Sequence, residues 1–167
     1  NEKLKKQNVE NGAALITESN SGQILAMVGS RDYFDGEIDG KYNVTTALRQ
    51  PGSSIKPLNY AVGIESGKVT AASIFNDEAT CFKVENQKEY CPTNYGNNYF
   101  GIQTLRNSLG NSLNIPAVKM LKLNGVKDFV ASASAMGIST FKDPSSYGLS
   151  LTLGGGDVYM TDMAVAF

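Results

Sequence analysis

The order of apolar and polar residues predicts a strand hairpin near the start of the chain. Two apolar runs of strand length, 12–17 and 23–29, are separated by a polar turn in which Gly22 can take a positive φ. Two such runs joined by a short turn are typical of an antiparallel hairpin. The stretch that follows, 30–42, is polar and rich in Gly and Asp, and we expect it to be a surface loop.

Helical spacing dominates the chain after a break at Pro51 and Gly52. The first predicted helix covers 53–66 and ends before Gly67. Its apolar positions are Ile55, Leu58, Ala61, Val62 and Ile64. Shorter helices are predicted at 104–110, 115–123 and 127–136, and Thr161 is placed to cap a last one. We find no convincing strand after the hairpin. Because a lone hairpin is not a stable sheet, either residues outside this sequence complete the sheet or the two apolar runs are not strands.

The composition excludes several kinds of site. The chain has 167 residues, 41% of them hydrophobic, so it is long enough to bury a core. It contains no His, which excludes Ser-His-Asp and Cys-His catalysis and His-containing zinc or haem sites. Two Cys cannot form a Cys-only zinc site, and a net charge of −1 gives no surface for nucleic acid. We therefore expect neither a metal nor nucleic acid to be bound, and any proton transfer must use Lys, Asp, Glu, Tyr, Ser or Cys.

Cys81 and Cys91 lie at the two ends of a segment whose polar and apolar residues roughly alternate on either side of 85–87. This pattern is typical of a small hairpin, and cysteines near the base of a hairpin can form a disulfide in an oxidising compartment. Two reduced thiols in a cytosolic protein fit the same pattern, so the residues alone leave both states open.

Ser53 and Lys56 are the first candidates for chemistry. They stand three positions apart at the start of the first predicted helix, so the Lys56 amine can reach the Ser53 hydroxyl on a shared face. A lysine whose pKa is lowered by burial can act as the base for a serine nucleophile. The alternative is a Ser N-cap with a solvated Lys one turn later. Ser54 is a competing nucleophile, but it points to a different helix face from Lys56.

The sequence around this pair resembles the active-site segment of class A penicillin-binding proteins, the bifunctional peptidoglycan synthases. The segment reads Arg49-Gln50-Pro51-Gly52-Ser53-Ser54-Ile55-Lys56-Pro57. Ser53 and Lys56 match the Ser-x-x-Lys motif of that family, and Ser112-Leu113-Asn114 resembles its second motif, Ser-x-Asn. Further likenesses at 12–29, 94–101 and 153–158 follow the family's order, so the resemblance runs from about residue 12 to the end.

The resemblance implies a fold and a reaction. The fold is α+β, of the serine β-lactamase and transpeptidase type, with an antiparallel sheet packed against helices. The reaction is D,D-transpeptidation, in which a D-Ala-D-Ala donor acylates Ser53 and the acyl group passes to an amine of a neighbouring peptidoglycan stem peptide. β-Lactams are expected to acylate the same serine, and neither a metal nor an organic cofactor is needed.

The resemblance also implies roles for the other candidates. Lys56 is the general base, Ser112 relays protons and Asn114 positions the donor. The alternative for Ser112 and Asn114 is an N-cap pair of the helix predicted at 115–123. The glycine run 154–156 is implied to be a tight structural turn, because it lacks the Lys-Ser/Thr that follows in a phosphate-binding loop.

One element of the family is missing from the sequence. No Lys is followed by Thr/Ser-Gly, the third motif, which in that family lies on a strand at one wall of the acyl cleft. We therefore expect 12–167 to be the N-terminal portion of a penicillin-binding transpeptidase domain, with a lead-in at 1–11. This portion alone is expected to have weak activity or none. The parent protein is expected outside the cytoplasmic membrane, with an N-terminal anchor and a glycosyltransferase domain, where a Cys81–Cys91 disulfide is more plausible.

Two other functions stay open. A serine β-lactamase or β-lactam sensor would share the fold, although no Glu follows Glu89 and hydrolysis commonly uses a Glu in a loop after the second motif. The chain can also be a non-catalytic binding fragment in which Ser53 and Lys56 only start a helix. An exposed edge of the hairpin sheet would favour self-association with another chain.

Overall fold

The structure is a computed structural model that describes residues 6–7, 9–83 and 88–167. The elements of this part of the chain are, in order, β1 (Ala14–Thr17), β2 (Ile24–Val28), α1 (Lys56–Glu65), β3 (Ile74–Asp77), β4 (Gly101–Thr104), α2 (Leu105–Gly110), α3 (Asn114–Asn124), α4 (Val126–Ala135) and α5 (Met160–Ala166). None of these helices combines the length and the apolar character that a membrane span requires. The chain divides into two compact units. Their bounds are Asn1–Arg49, Met136–Thr140 and Asp157–Phe167 for the first, and Gln50–Ala135 and Phe141–Gly156 for the second.

The first unit is built on the predicted hairpin. β1 and β2 pair antiparallel with Ala14 opposite Val28, and Gly22 in the turn has a φ of +71°, so the hairpin prediction is confirmed. Every residue of β2 is exposed. Inside this unit, α5 lies against β1. The N-cap of α5 is Tyr159, so the predicted cap at Thr161 is wrong, because Thr161 is already a helical residue.

The second unit is organised around α3. Most of the surface of α3 is buried, and only Lys122 and Leu123 are exposed, as expected of a helix at the centre of a core. Its buried apolar residues are Ile115, Ala117, Val118, Met120 and Leu121. α1, α2, α4 and β3 pack around it. The helices α2, α3 and α4 begin and end within one residue of the predicted bounds.

A second strand pair was missed by the sequence pattern. β3 and β4 pair antiparallel with Ile74 opposite Thr104, and the pair packs against α2 and α3. Each strand has four residues, and the two isoleucines of the pair, Ile74 and Ile102, are exposed. The usual signal of a strand, apolar residues on its buried face, is therefore reduced here to Phe75 of β3. Helices with antiparallel strand pairs make the architecture α+β.

α1 differs from its prediction in a way that matters for the site. The α-helix begins at Lys56, because Gly52–Ile55 form a 3-10 turn before it. Two of its predicted core positions, Ala61 and Ile64, are exposed, whereas Lys56 and Asn59 are buried. The buried face of α1 thus carries two polar side chains, which must find hydrogen-bond partners inside the unit.

Asn59 finds those partners on two other elements of the second unit. Its Nδ2 donates to Ala117 O at 3.0 Å and to Thr152 Oγ1 at 2.8 Å. The Nδ2 of Asn124, at the end of α3, donates to the Asn59 backbone carbonyl at 2.8 Å and to its Oδ1 at 2.9 Å. This buried set ties α1 to α3 and to the segment that contains Thr152.

Cys81 and Cys91 are joined by a disulfide in the structure. Just inside it, Phe82 and Tyr90 form an antiparallel bridge, which gives the base of the hairpin predicted for this segment. The predicted turn at 85–87 lies outside the described residues. Lys122 of α3 lies over the Phe82 ring, with Nζ 5.7 Å from the ring centre, so Phe82 links the residue after Cys81 to the core helix.

Candidate functional site

Ser53 lies in the 3-10 turn that leads into α1. The Lys56 backbone N–H donates to the Ser53 carbonyl, so the two residues stand one turn apart. Ser53 is exposed, and its hydroxyl takes part in none of the hydrogen bonds formed among the described residues. The Ser54 hydroxyl instead donates to Pro51 O at 2.6 Å. Of the two adjacent serines, Ser53 is therefore the one with an available hydroxyl.

A glycine contact holds the turn that contains Ser53. Gly154 ends the 3-10 turn Leu149–Leu153 with a φ of +89°. A Cβ on Gly154 would lie 2.3 Å from Gly52 N and 2.5 Å from Gly52 Cα. Only glycine allows two backbones to approach this closely at a positive φ. The glycine run is thus a structural turn, as expected, and it packs directly against the residue before Ser53.

Lys56 is held by the second sequence motif. Its side chain is only 1% exposed. Its Nζ donates to Ser112 O at 2.6 Å, to Ser112 Oγ at 3.1 Å and to Asn114 Oδ1 at 2.7 Å. The alternative of a solvated lysine behind a Ser N-cap is therefore wrong, because the Lys56 side chain is buried and its Nζ donates three hydrogen bonds to Ser112 and Asn114.

Burial lowers the pKa of Lys56 from 10.5 to about 8. Among the described residues no carboxylate forms an ion pair with Lys56; its three partners are neutral oxygens. Nothing with a full negative charge therefore opposes the desolvation of the ammonium. With this pKa about a tenth of the Lys56 amines are neutral at pH 7, which is the form that can accept a proton.

Ser112 and Asn114 do not form the N-cap pair that was the alternative to their predicted roles. The N-cap of α3 is Leu113, and its side chain makes no capping bond. Ser112 has a φ of +53°, an uncommon conformation for a residue other than glycine, and both its carbonyl and its hydroxyl oxygen accept from Lys56. Asn114 is the first residue of α3, and its Nδ2 donates to Thr93 O at 2.7 Å. Both side chains are thus committed to the lysine and its surroundings.

Two further residues support this arrangement, and neither was predicted from the sequence to have a role. The buried carboxylate of Asp77 accepts from Asn94 Nδ2 at 2.8 Å on each oxygen and from Phe100 N at 2.9 Å. Asn94 Oδ1 in turn accepts from the Asn114 backbone N–H at 2.7 Å. Asn94 falls in a segment that resembles the family, which is the only sequence signal for it. Asp77 has none.

A cavity of about 320 Å³ opens beside Ser112. Its other lining residues are Asn94, Tyr95, Phe100, Gln103, Asn111 and Leu113. The rings of Tyr95 and Phe100 are exposed, and the remaining lining groups are mostly amides. The wall thus offers apolar ring surface beside hydrogen-bonding amides. Ser53 and Lys56 do not line this cavity; Ser112, which accepts from Lys56, is the residue that connects the two.

No metal centre is formed by the described residues. Only Cys81, Glu89 and Cys91 bring potential ligand atoms close together, and the disulfide leaves neither cysteine with a thiolate to offer.

Comparison with known proteins places this chain in a family. The family model described as penicillin binding protein transpeptidase domain matches residues 12–155. The chain is 36% identical over 156 residues to Penicillin-binding protein 4 of Bacillus subtilis, and 29% identical over 156 residues to Penicillin-binding protein 1C of Escherichia coli. Each match covers 93% of this chain, but 23% and 20% of the respective relatives. The chain thus spans about a fifth of the length of these relatives.

A solved structure agrees with the sequence comparison. The crystal structure of Penicillin-Binding Protein 1A from Haemophilus influenzae superposes with a TM-score of 0.82 at 31% identity, over 93% of this chain and 22% of that one. The expected α+β transpeptidase fold is therefore confirmed. Both candidate motifs, at Ser53–Lys56 and Ser112–Asn114, lie inside the matched range. The chain belongs to the penicillin-binding protein transpeptidase family.

Proposed function

We propose that these residues carry the acylation half of a D,D-transpeptidase site that cross-links peptidoglycan stem peptides. Ser53 is the nucleophile, Lys56 the general base, Ser112 the proton relay and Asn114 the residue that positions the donor. The observation that carries the proposal is the buried Lys56 amine, held by Ser112 and Asn114 one turn after the available Ser53 hydroxyl.

The acylation step follows from this chemistry. Ser53 Oγ attacks the carbonyl carbon between the two D-Ala residues of the donor, and its proton passes to the neutral Lys56 Nζ. Ser112 is the one partner of Nζ that can either donate or accept, because a hydroxyl can do both. The proton therefore passes through Ser112 Oγ to the departing amine as the C–N bond breaks. D-Ala leaves, and the rest of the donor remains as an ester on Ser53.

The second step reverses the first. An amine of a neighbouring stem peptide attacks the ester carbonyl and loses its proton to Lys56, while Ser53 Oγ leaves as the new amide bond forms and takes back a proton. Asn114 has a second function besides holding Lys56, because an amide side chain can hydrogen-bond the peptide backbone of the donor. β-Lactams acylate Ser53 in the same way but leave no free amine to depart.

The setting of the whole protein is also part of the proposal. The relatives are penicillin-binding proteins, including 1A and 1C types. By this resemblance we place the parent protein outside the cytoplasmic membrane, with a membrane anchor and a glycosyltransferase domain. Residues 12–167 then form the N-terminal portion of its transpeptidase domain. Because no Lys-Thr/Ser-Gly occurs in these 167 residues, we expect them alone to react weakly or not at all with β-lactams.

The test is covalent labelling of the full-length protein that contains these residues. After incubation with benzylpenicillin, mass analysis should find the added mass on the peptide containing Ser53. Ser53→Ala should abolish labelling, whereas the adjacent control Ser54→Ala should retain it. Labelling of Ser53→Ala, or an unmodified Ser53, would refute the assignment. The lifetime of the acyl-enzyme separates the alternatives, because hours suit a synthase and milliseconds suit a β-lactamase.

A further inference from the structure

A buried carboxylate lies two hydrogen bonds behind Asn114. Asp77 is the last residue of β3 and is fully buried. Among the described residues it forms no ion pair. Its charge is balanced only by neutral donors, namely the Asn94 side chain and the Phe100 backbone N–H. Burying a carboxylate without a cation costs desolvation free energy, so a carboxylate at this position calls for a role.

The Asp77 carboxylate and the Asn98 carbonyl, which accepts from Asn94 Nδ2 at 3.0 Å, together fix which way the Asn94 amide points. An ionised carboxylate accepts hydrogen bonds and donates none, so only the NH2 group of Asn94 can face Asp77. The Asn94 Oδ1 must then face the opposite way, where it accepts from the Asn114 N–H at 2.7 Å. If Asp77 could donate, the amide could turn over and present its NH2 to the Asn114 N–H, which would leave two donors facing each other.

The same contact fixes the lysine. The Asn114 N–H is one of the first donors of α3, which have no partner inside the helix. Asn94 satisfies this donor from outside and so sets the position of the first residue of α3. Asn114 then directs its Oδ1 to Lys56 Nζ at 2.7 Å. The chain of contacts runs from Asp77 through Asn94 and Asn114 to Lys56.

We propose that Asp77, acting through Asn94, is a positioning residue. It holds Asn114, and thereby the Lys56 amine, in the position that acylation of Ser53 requires. This proposal rests on the proposed function and names residues outside both sequence motifs. Burial raises the pKa of the Tyr60 hydroxyl on α1, and the charge of Asp77 raises it further. Lys119 of α3 reaches the residues on either side of Asp77, namely the Asn76 carbonyl and the Glu78 carboxylate. Lys56 has no charged partner among the described residues.

The test compares two charge-removing variants of adjacent residues in the full-length protein. Asp77→Asn removes the acceptor-only side chain that faces Asn94 and leaves the Asn98 carbonyl as its remaining acceptor-only partner. The matched control, Glu78→Gln, removes a neighbouring carboxylate that is 60% exposed and lies 3.7 Å from Lys119. The readout is the rate constant for acylation by a fluorescent penicillin from pH 6 to 10, measured per titrated active site so that unfolded molecules do not contribute.

Asp77→Asn should lower the limiting rate constant about tenfold to a hundredfold, because a base displaced by about an ångström loses that much. It should also move the midpoint of the pH profile to lower pH, because an ammonium that loses an acceptor is easier to deprotonate. Glu78→Gln should change neither. Asn94→Ala, which breaks the same chain at its next link, should reproduce the loss of rate.

The outcomes separate this inference from the proposed function. If the parent protein is labelled on Ser53 but the Asp77→Asn variant has the same acylation rate constant and the same pH midpoint as the parent, the positioning role is wrong. The proposed function then stands. The positioning role would also be wrong if Asp77→Asn and Asn94→Ala both lost titratable active sites while the rate constant per site stayed unchanged. Asp77 and Asn94 would then stabilise the fold alone. If Ser53→Ala is still labelled, the proposed function itself fails.

Discussion

Replacing Asn114 by Asp tests the basis of the proposed chemistry, the neutral Lys56 amine. Asn114 Oδ1 lies 2.7 Å from Lys56 Nζ, and Asn114→Asp puts a carboxylate oxygen in place of the amide oxygen with almost no change in shape. An opposite charge at this distance favours the ammonium, so the pKa of Lys56 should rise. The substitution also turns the donor to Thr93 O into an acceptor, which weakens that contact but does not change the sign of the effect on the lysine.

The magnitude follows from the lowered pKa. With a pKa of about 8, about a tenth of the Lys56 amines are neutral at pH 7. A neighbouring opposite charge shifts a pKa by about 1–3 units. The neutral fraction at pH 7 should therefore fall about tenfold to a thousandfold, and the acylation rate should fall with it. Because the base is retained, the rate should recover as the pH approaches the new pKa.

The assay is the rate of Ser53 acylation by a fluorescent penicillin, measured from pH 6 to 10 in the full-length protein. The wild-type rate should rise through a midpoint near the Lys56 pKa of about 8, and Asn114→Asp should move that midpoint upward. Asn107→Asp adds the same charge to an exposed residue of α2 and should leave the midpoint in place. A midpoint that stays or moves downward in Asn114→Asp, or a loss of rate equal at every pH, would show that Lys56 is not the base.

Three further predictions concern stability, each measured by unfolding in urea. Gly154→Ala should cost about 2–5 kcal/mol, because it adds left-handed strain and forces its Cβ into the Gly52 backbone; Gly148→Ala, which meets nothing within 4 Å, should cost little. Asn59→Ala should cost about 2–3 kcal/mol, because it removes the side-chain partner of the Ala117 carbonyl, of Thr152 Oγ1 and of Asn124 Nδ2 inside the core. Cys91→Ser should cost about 2–3 kcal/mol through loss of the disulfide loop, and protein purified without reductant should show no free thiol to alkylation; two free thiols would contradict the disulfide.

Local patterns were enough to predict much of the fold. The first hairpin and the helices α2, α3 and α4 follow from apolar spacing and turn residues within ten or so positions, and the structure agrees to within a residue at the helix ends. β3 and β4 could not be predicted in this way, because Ile74 and Ile102 face outward. Their pairing depends on contacts with α2 and α3 that no short window of sequence contains.

In the candidate site, too, the residues with local motifs could be predicted and the contacts between distant residues could not. Ser53 and Lys56 could be paired from their spacing, and Ser112 and Asn114 from the resemblance. The contact between the two motifs spans 56 and 58 positions and is visible only in three dimensions. Asp77 and Asn94 carry no motif, and their link depends on a hydrogen bond across 17 positions. Apolar periodicity also misled on α1, since it placed Ala61 and Ile64 in the core and left Lys56 and Asn59 out.

The burial of Lys56 explains why α1 departs from an ordinary amphipathic pattern. Lowering the pKa of Lys56 from 10.5 to about 8 means that folding with the charged lysine costs about 3 kcal/mol at neutral pH relative to an exposed one. In the unfolded chain the lysine still binds its proton between these two pKa values. The cost therefore disappears as the pH rises from about 8 toward 10.5, and below pH 8 it is present in full.

A solvated or apolar residue at position 56 would avoid this cost, but neither would provide a neutral amine near pH 7. The hydrogen bonds from Ser112 and Asn114 keep the buried amine in one position without adding a negative charge that would raise its pKa again. Burial of Lys56 thus lowers the stability of the second unit and yields a lysine amine that can accept a proton near neutral pH.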